Sequence, residues 1–203
     1  MRGQGSPAGH GVRYAGPSCR STFSDKGYQS LESVRERVQA ISMEEFDDKQ
    51  AKIEALRRHF APLIGKELSA FETAQIKLDG EWAPWFDLPI RLYFGENALV
   101  SVAWSHLDKL FLSRDNSQNV PTDETEVRWV FNNVDEVRDA ISGTLKSVSL
   151  GLGDLSINNQ QIEIWTRLLL EQEEGWLEIF NGLDENAFFF HRTKPAGVFV
   201  NCC

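Results

Sequence analysis

The chain is expected to fold as an α+β protein, a mostly antiparallel, curled β-sheet of about seven to nine strands covered by two or three helices. Three observations carry this expectation. Between Leu88 and Leu112, apolar residues recur at every second position and are interrupted by Gly95-Glu96-Asn97. A comparable strand-rich pattern returns between Val148 and His191. Helical periodicity, by contrast, is confined to a few short stretches, of which Phe46–Ile64 is the strongest.

The first 42 residues are read as a disordered or weakly helical basic N-terminal extension (1–42), and the rest as a single acidic α+β domain (43–203). Gly3, Gly5, Gly9, Gly11, Gly16, Pro7 and Pro17 punctuate a segment without apolar periodicity. Such a segment buries too little surface to offset its ordering entropy. Within it, Ser33 and Glu36 form a capping box ahead of Val34, Val38 and Ile41. The extension is basic and faintly similar to an organelle transit segment, but lacks the amphipathic helix of one. An upstream extension with the working protein beginning near Met43 is the preferred reading. There is no apolar core of a secretory signal and no run of 18 apolar residues. A cytoplasmic protein without membrane contact is therefore expected.

In the body, Ser42 and Glu45 form a second capping box, which predicts a helix starting at Met43. Phe46, Ile53, Leu56, Phe60, Leu63 and Ile64 track one face of it, Pro62 distorts its last turn and Gly65 stops it. Lys66–Leu78 reads as an edge or early strand with Phe71, Ile76 and Leu78 inward, ending in the turn Asp79-Gly80. Trp82, Trp85 and Phe86 form an aromatic loop leading into the central hairpin. There Ile90, Leu92 and Phe94 face one way, and Trp104 is expected in the core.

Asn116–Glu126 is polar and holds Pro121, so it reads as a loop before the apolar run Trp129-Val130-Phe131. Asn133 is placed to cap a helix over Val134–Leu145, weakened by Gly143. Val148, Leu150 and Leu152 predict a strand, Asn158-Asn159 a turn, and Ile162, Ile164 and Trp165 the start of another strand. Trp176–Phe180 and Ala187–His191 flank Asn181-Gly182, a two-residue hairpin signal, and Phe188-Phe189-Phe190 implies burial on both faces. The stretches LYFGENALVSVAW and EIFNGLDENAFFF are loosely similar, without a fixed period, and suggest an internal duplication.

The net charge of −9 hides an asymmetry, since six basic and three acidic residues before residue 43 leave −12 on the body. A body this acidic repels a phosphate backbone, so nucleic acid is excluded as a partner, whereas a basic protein is attracted. Cys19, Cys202 and Cys203 are read as lying outside the core and build neither a disulfide framework nor a zinc site. The Cys202-Cys203 ending is similar to the tails of prenylated small GTPases, but the phosphate loop of those proteins is missing.

No nucleotide, nucleophile-elbow or metal-binding motif is present, so no catalytic residue, metal or cofactor is assigned. The residues singled out are therefore binding residues. Trp82 and Trp85, beside Pro84, fit an anchor for a protein partner, with a hydrophobic plug at the sheet edge as the plainer alternative. Glu171, Glu173 and Glu174, like Asp123, Glu124 and Glu126, are solvated acids that also suit a basic partner. His106, Asp108 and His191 are the polar groups available to a pocket at the mouth of the sheet, with Asp184-Glu185 on a nearby turn.

The expected function is a non-enzymatic protein-binding module. Its composition is similar to that of immunity or antitoxin-type inhibitors, which neutralise a basic toxin. A small-molecule or enzymatic pocket built on His106, Asp108 and His191 is the alternative, and a structural subunit of a larger assembly is a third class.

Overall fold

The computed structural model describes residues 43–115, 126–158, 160–183 and 185–203. The expected N-terminal extension and its Ser33–Ile41 helix, together with Cys19, the Asn116–Thr125 loop, Asn159 and Asp184, lie outside the described residues.

Strand β1 (Glu44–Phe46) precedes helix α1 (Lys49–Phe60), and a short 3-10 turn (Ala61–Leu63) follows the helix. Then come β2 (Leu68–Leu78), β3 (Glu81–Pro84), β4 (Ile90–Phe94), β5 (Ala98–Ser105), β6 (Lys109–Ser113) and β7 (Val127–Phe131). Helix α2 (Asp135–Arg138) leads into β8 (Ser147–Leu152), β9 (Leu155–Ile157), β10 (Gln160–Ile162), β11 (Trp165–Glu171), β12 (Trp176–Asn181), β13 (Asn186–His191) and β14 (Phe199–Asn201).

The fold is β-rich and antiparallel. It is not one curled sheet: a seven-stranded sheet, a five-stranded sheet and the small β9–β10 pair replace it. Nor do two or three helices cover it, because α1 is the only helix longer than one turn among the described residues. Among those residues no helix is long and apolar enough to cross a membrane.

The two large sheets repeat one topology. In the first, β4, β5 and β6 form a meander, β4 pairs with β2, and β7 returns to pair with the other edge of β2. In the second, β11, β12 and β13 form the meander, β11 pairs with β8, and β14 returns to the other edge of β8. A helix stands before the first strand of each. The two sheets share this connectivity, but the two similar stretches do not occupy corresponding hairpins: LYFGENALVSVAW is β4–β5, whereas EIFNGLDENAFFF is β12–β13, whose topological counterpart is β5–β6. Equivalent pieces also touch. Glu67, before β2, bridges Thr144, before β8, and Trp104 of β5 donates its indole N–H to the Ile179 carbonyl of β12 at 3.2 Å.

One apolar core joins the sheets and α1. Leu56 and Phe60 of the helix, Ile90, Leu92, Val100, Val102 and Trp104 of the first sheet, and Val148, Leu150, Leu168, Leu177 and Ile179 of the second are all fully buried. Period-2 alternation places these residues on the inner faces, as the sequence pattern implies. Cys202 belongs to this core, contrary to expectation; burial pushes its thiol up to about 11.

Three local expectations give way to tertiary pairing. Glu44–Phe46 pairs with β6, so α1 starts later, on Asp48, whose carboxylate accepts from the Gln50 and Ala51 N–H groups. Asn133 does not cap a long helix, because its side-chain oxygen accepts from the Thr73 hydroxyl at 2.9 Å; α2 is short and the chain leaves it through Ser142 at φ 69°. Strand β2 is central rather than at an edge, with Phe71 in the main core and Ile76 in a second cluster beside Trp85 and Leu88.

Candidate functional site

The feature that local sequence rules least explain is a pair of turns. The β5–β6 turn carries Leu107 at φ 64° and the β12–β13 turn carries Leu183 at φ 73°. The left-handed region is unfavourable for a bulky side chain, by about 1–2 kcal/mol. Neither leucine recovers this by burial, since Leu107 is 62% and Leu183 89% exposed. The two turns occupy equivalent places in the repeated topology and touch one another, for the Asn181 side-chain amide donates to the Leu107 carbonyl at 2.8 Å.

Asn186 fastens the base of these turns. It is 1% exposed, donates to the carbonyls of Phe86 and Leu88, both at 2.9 Å, and accepts from the Trp104 N–H at 3.1 Å. Acidic groups belong to these turns or lie beside the first: Asp108, partly exposed, and Glu185, exposed, are in them, and the exposed Asp47 follows Phe46, which pairs with Leu110 of β6. Beneath Asp108 lies Lys52, fully buried, with its ammonium 3.6 Å from the Asp108 carboxylate and 3.3 Å from the Trp165 carbonyl it donates to. Burial pulls the Lys52 pKa below its ordinary value, and Asp108 opposes that shift.

A separate cleft of about 620 Å³ opens where β1, the end of α1 and the end of β6 meet. Glu44, Arg58, His59, Ser113, Arg114 and Asp115 line it. Arg114 donates from one terminal nitrogen to the carbonyls of Arg58 and His59, at 2.9 and 2.6 Å, and so caps the helix C-terminus. Arg58 pairs with Glu44. The buried His59 ring lies behind them, its Nε2 3.4 Å from Glu44, and burial lowers its pKa.

The residues expected to bind a partner are scattered. Trp85 is buried, its indole N–H on Asp87 at 3.0 Å. Trp82 is partly exposed and lies under the Arg128 guanidinium, 4.2 Å from its ring centroid. Glu171 accepts from the Ser147 hydroxyl at 2.7 Å, while Glu173 and Glu174 occupy the β11–β12 turn near Lys146 and Arg192. That turn sits by the start of β2 and Trp82 by its end, about 30 Å apart along the strand. The expected pocket trio is likewise divided. His106 and Asp108 share the β5–β6 turn, with the exposed His106 contacting the Ser105 hydroxyl at 2.9 Å. His191 is on β13, about 17 Å from Asn186 at the strand's far end, where it contacts Glu178 at 2.6 Å. Phe189 beside it is 46% exposed, so the triple-phenylalanine run is not buried on both faces.

Sequence reasoning missed Leu107, Leu183, Asn181 and Asn186. The only signal was Asn181-Gly182, and it pointed to a two-residue turn; the observed loop is longer, closed by Gly182 N–H to the Glu185 carbonyl at 2.8 Å. Among the described residues, no group of three or more His, Cys, Asp or Glu is arranged to hold a metal ion. Compared with known proteins, the chain matches no family model, no curated protein and no solved structure.

Proposed function

We propose that this chain is a non-enzymatic protein-binding module that docks a basic partner on the paired turns at Leu107 and Leu183. The observation that carries the reading is the repeated strain: two equivalent turns each hold a leucine in a left-handed conformation and out in solvent. Strain of this kind persists where the surroundings impose it and clusters at binding sites. Exposed apolar side chains with a charged surround are a common interface arrangement. Asp47, Asp108 and Glu185 supply that surround, and the −12 body adds a long-range attraction for a basic protein. An inhibitor that neutralises a basic toxin is the partner relation this charge balance fits.

Site-specific photo-crosslinking tests it. A photoreactive residue placed at Leu107 or Leu183 in the full chain, in its native host, is expected to trap one and the same protein. The same residue at Ile64 or Asp154, exposed positions elsewhere, is expected to trap nothing comparable. Identical labelling at all four positions, or none at the two leucines, would overturn the proposal.

A further inference from the structure

We propose that the cleft at Glu44, Arg58, Arg114 and Asp115 binds a small zwitterion of the α-amino-acid type, its carboxylate on the two arginines and its ammonium on the two acids. This is independent of the docking reading, because the cleft is built from β1, α1 and β6 outside the paired turns. At about 620 Å³ it is within the range of small-molecule sites. Its lining is unlike the rest of the body: a domain carrying −12 here sets two guanidinium groups against two carboxylates.

Among the described residues, Arg114 uses a single terminal nitrogen on the helix carbonyls and Arg58 a single one on Glu44, so each has further N–H donors not committed to those residues. A guanidinium presents these in a planar fork that matches a carboxylate. A simple anion entering here would meet Glu44 and Asp115, and a simple cation would meet Arg58 and Arg114. All four charged side chains are exposed, so a molecule with both charges a few bonds apart meets attraction at both pairs, whereas a single charge meets one attractive and one repulsive pair. The uncharged back wall of Leu112 and the His59 ring leaves room for a small side chain.

The test is calorimetric titration of the full chain with L-alanine, L-glutamate and L-lysine, alongside propionate and propylammonium as single-charge analogues. At least one amino acid is expected to bind, with neither analogue doing so. Arg58→Gln and Glu44→Gln, both at side chains 56% exposed and so safe for folding, are each expected to weaken binding about tenfold or more. Backbone amide shifts on titration are expected to cluster at residues 44, 58–59 and 112–115. Absence of heat with all three amino acids, equal binding of propionate, or variants that leave affinity unchanged would each overturn the proposal.

Discussion

The side-chain amide of Asn181 holds the main-chain carbonyl of Leu107 at 2.8 Å, so the turn of one half is fastened to the base of the equivalent turn of the other. The two leucines are thereby presented together on a framework that Asn186 locks to β5 and to the Phe86–Leu88 loop.

If those turns are held against their local preference, relieving the strain should stabilise the fold. Leu107→Gly and Leu183→Gly each remove an exposed side chain from a left-handed position that glycine adopts freely. Each is expected to raise stability by up to about 1 kcal/mol in urea denaturation, net of glycine's extra unfolded-state entropy. A clear loss of stability in both would show that the leucines serve the fold and not a partner.

Trp104 is expected to be the most costly single truncation. It is fully buried between the two sheets and its indole donates to the Ile179 carbonyl. Trp104→Ala should destabilise by about 3–5 kcal/mol, and Trp104→Phe by less, about 1–3 kcal/mol, because the ring survives while the hydrogen bond is lost. A loss below about 1 kcal/mol for the alanine variant, as at a surface site, would contradict this placement.

The inner faces were legible in the sequence because strand alternation is a local property. Ile90, Leu92, Phe94 and Trp104 point inward as their spacing implies, and Gly95 at φ 57° makes the turn its composition announced. The division into two sheets was not legible. It depends on β7 returning to β2 and β14 returning to β8, pairings between segments roughly fifty residues apart that leave no local signature. Competition also defeated correct local rules: Ser42-Glu45 and Asn133 are sound capping signals, but Glu44–Phe46 is taken by β6 and the Asn133 side chain by Thr73. The candidate site was hidden for the opposite reason, since a left-handed leucine runs against the propensity from which sequence reasoning starts.

Lys52 should act as a pH-dependent liability of the fold. Burial lowers its pKa from the ordinary 10.5, so the unfolded chain binds the proton more tightly than the folded one. Stability contributed by this group therefore rises as pH climbs toward 10.5, and the penalty is fully present below the lowered folded value. Lys52→Met removes the buried ammonium but leaves Asp108, itself partly exposed, without that partner and the Trp165 carbonyl without a donor, so its effect at neutral pH is expected to stay within about 2 kcal/mol of zero. The parent should gain stability relative to the variant, read as the difference in melting temperature, on moving from pH 7 toward the ordinary lysine value. An unchanged difference would mean that Lys52 does not change protonation on unfolding.

Charge reversal separates the two acidic regions. Asp108 and Glu185 lie in the leucine turns and Asp47 beside the first, whereas Glu173 and Glu174 sit at the other end of β12, about 20 Å away. That distance exceeds the ~10 Å screening length at 0.1 M salt. Asp108 is left unchanged because its carboxylate faces the buried Lys52 ammonium; Asp47→Lys together with Glu185→Lys should therefore slow association with the crosslinked partner, with the effect fading as salt is raised, because rim charges act mainly on encounter. Lys at both Glu173 and Glu174 should leave the rate nearly unchanged at that ionic strength. Glu171 is unsuitable for the comparison, since its hydrogen bond from Ser147 ties β11 to β8 and its reversal would disturb the sheet. Surface-plasmon association rates at two salt concentrations distinguish the outcomes. Equal slowing by both pairs would mean that the acidic body attracts a partner as a whole and that the paired turns are not its docking point.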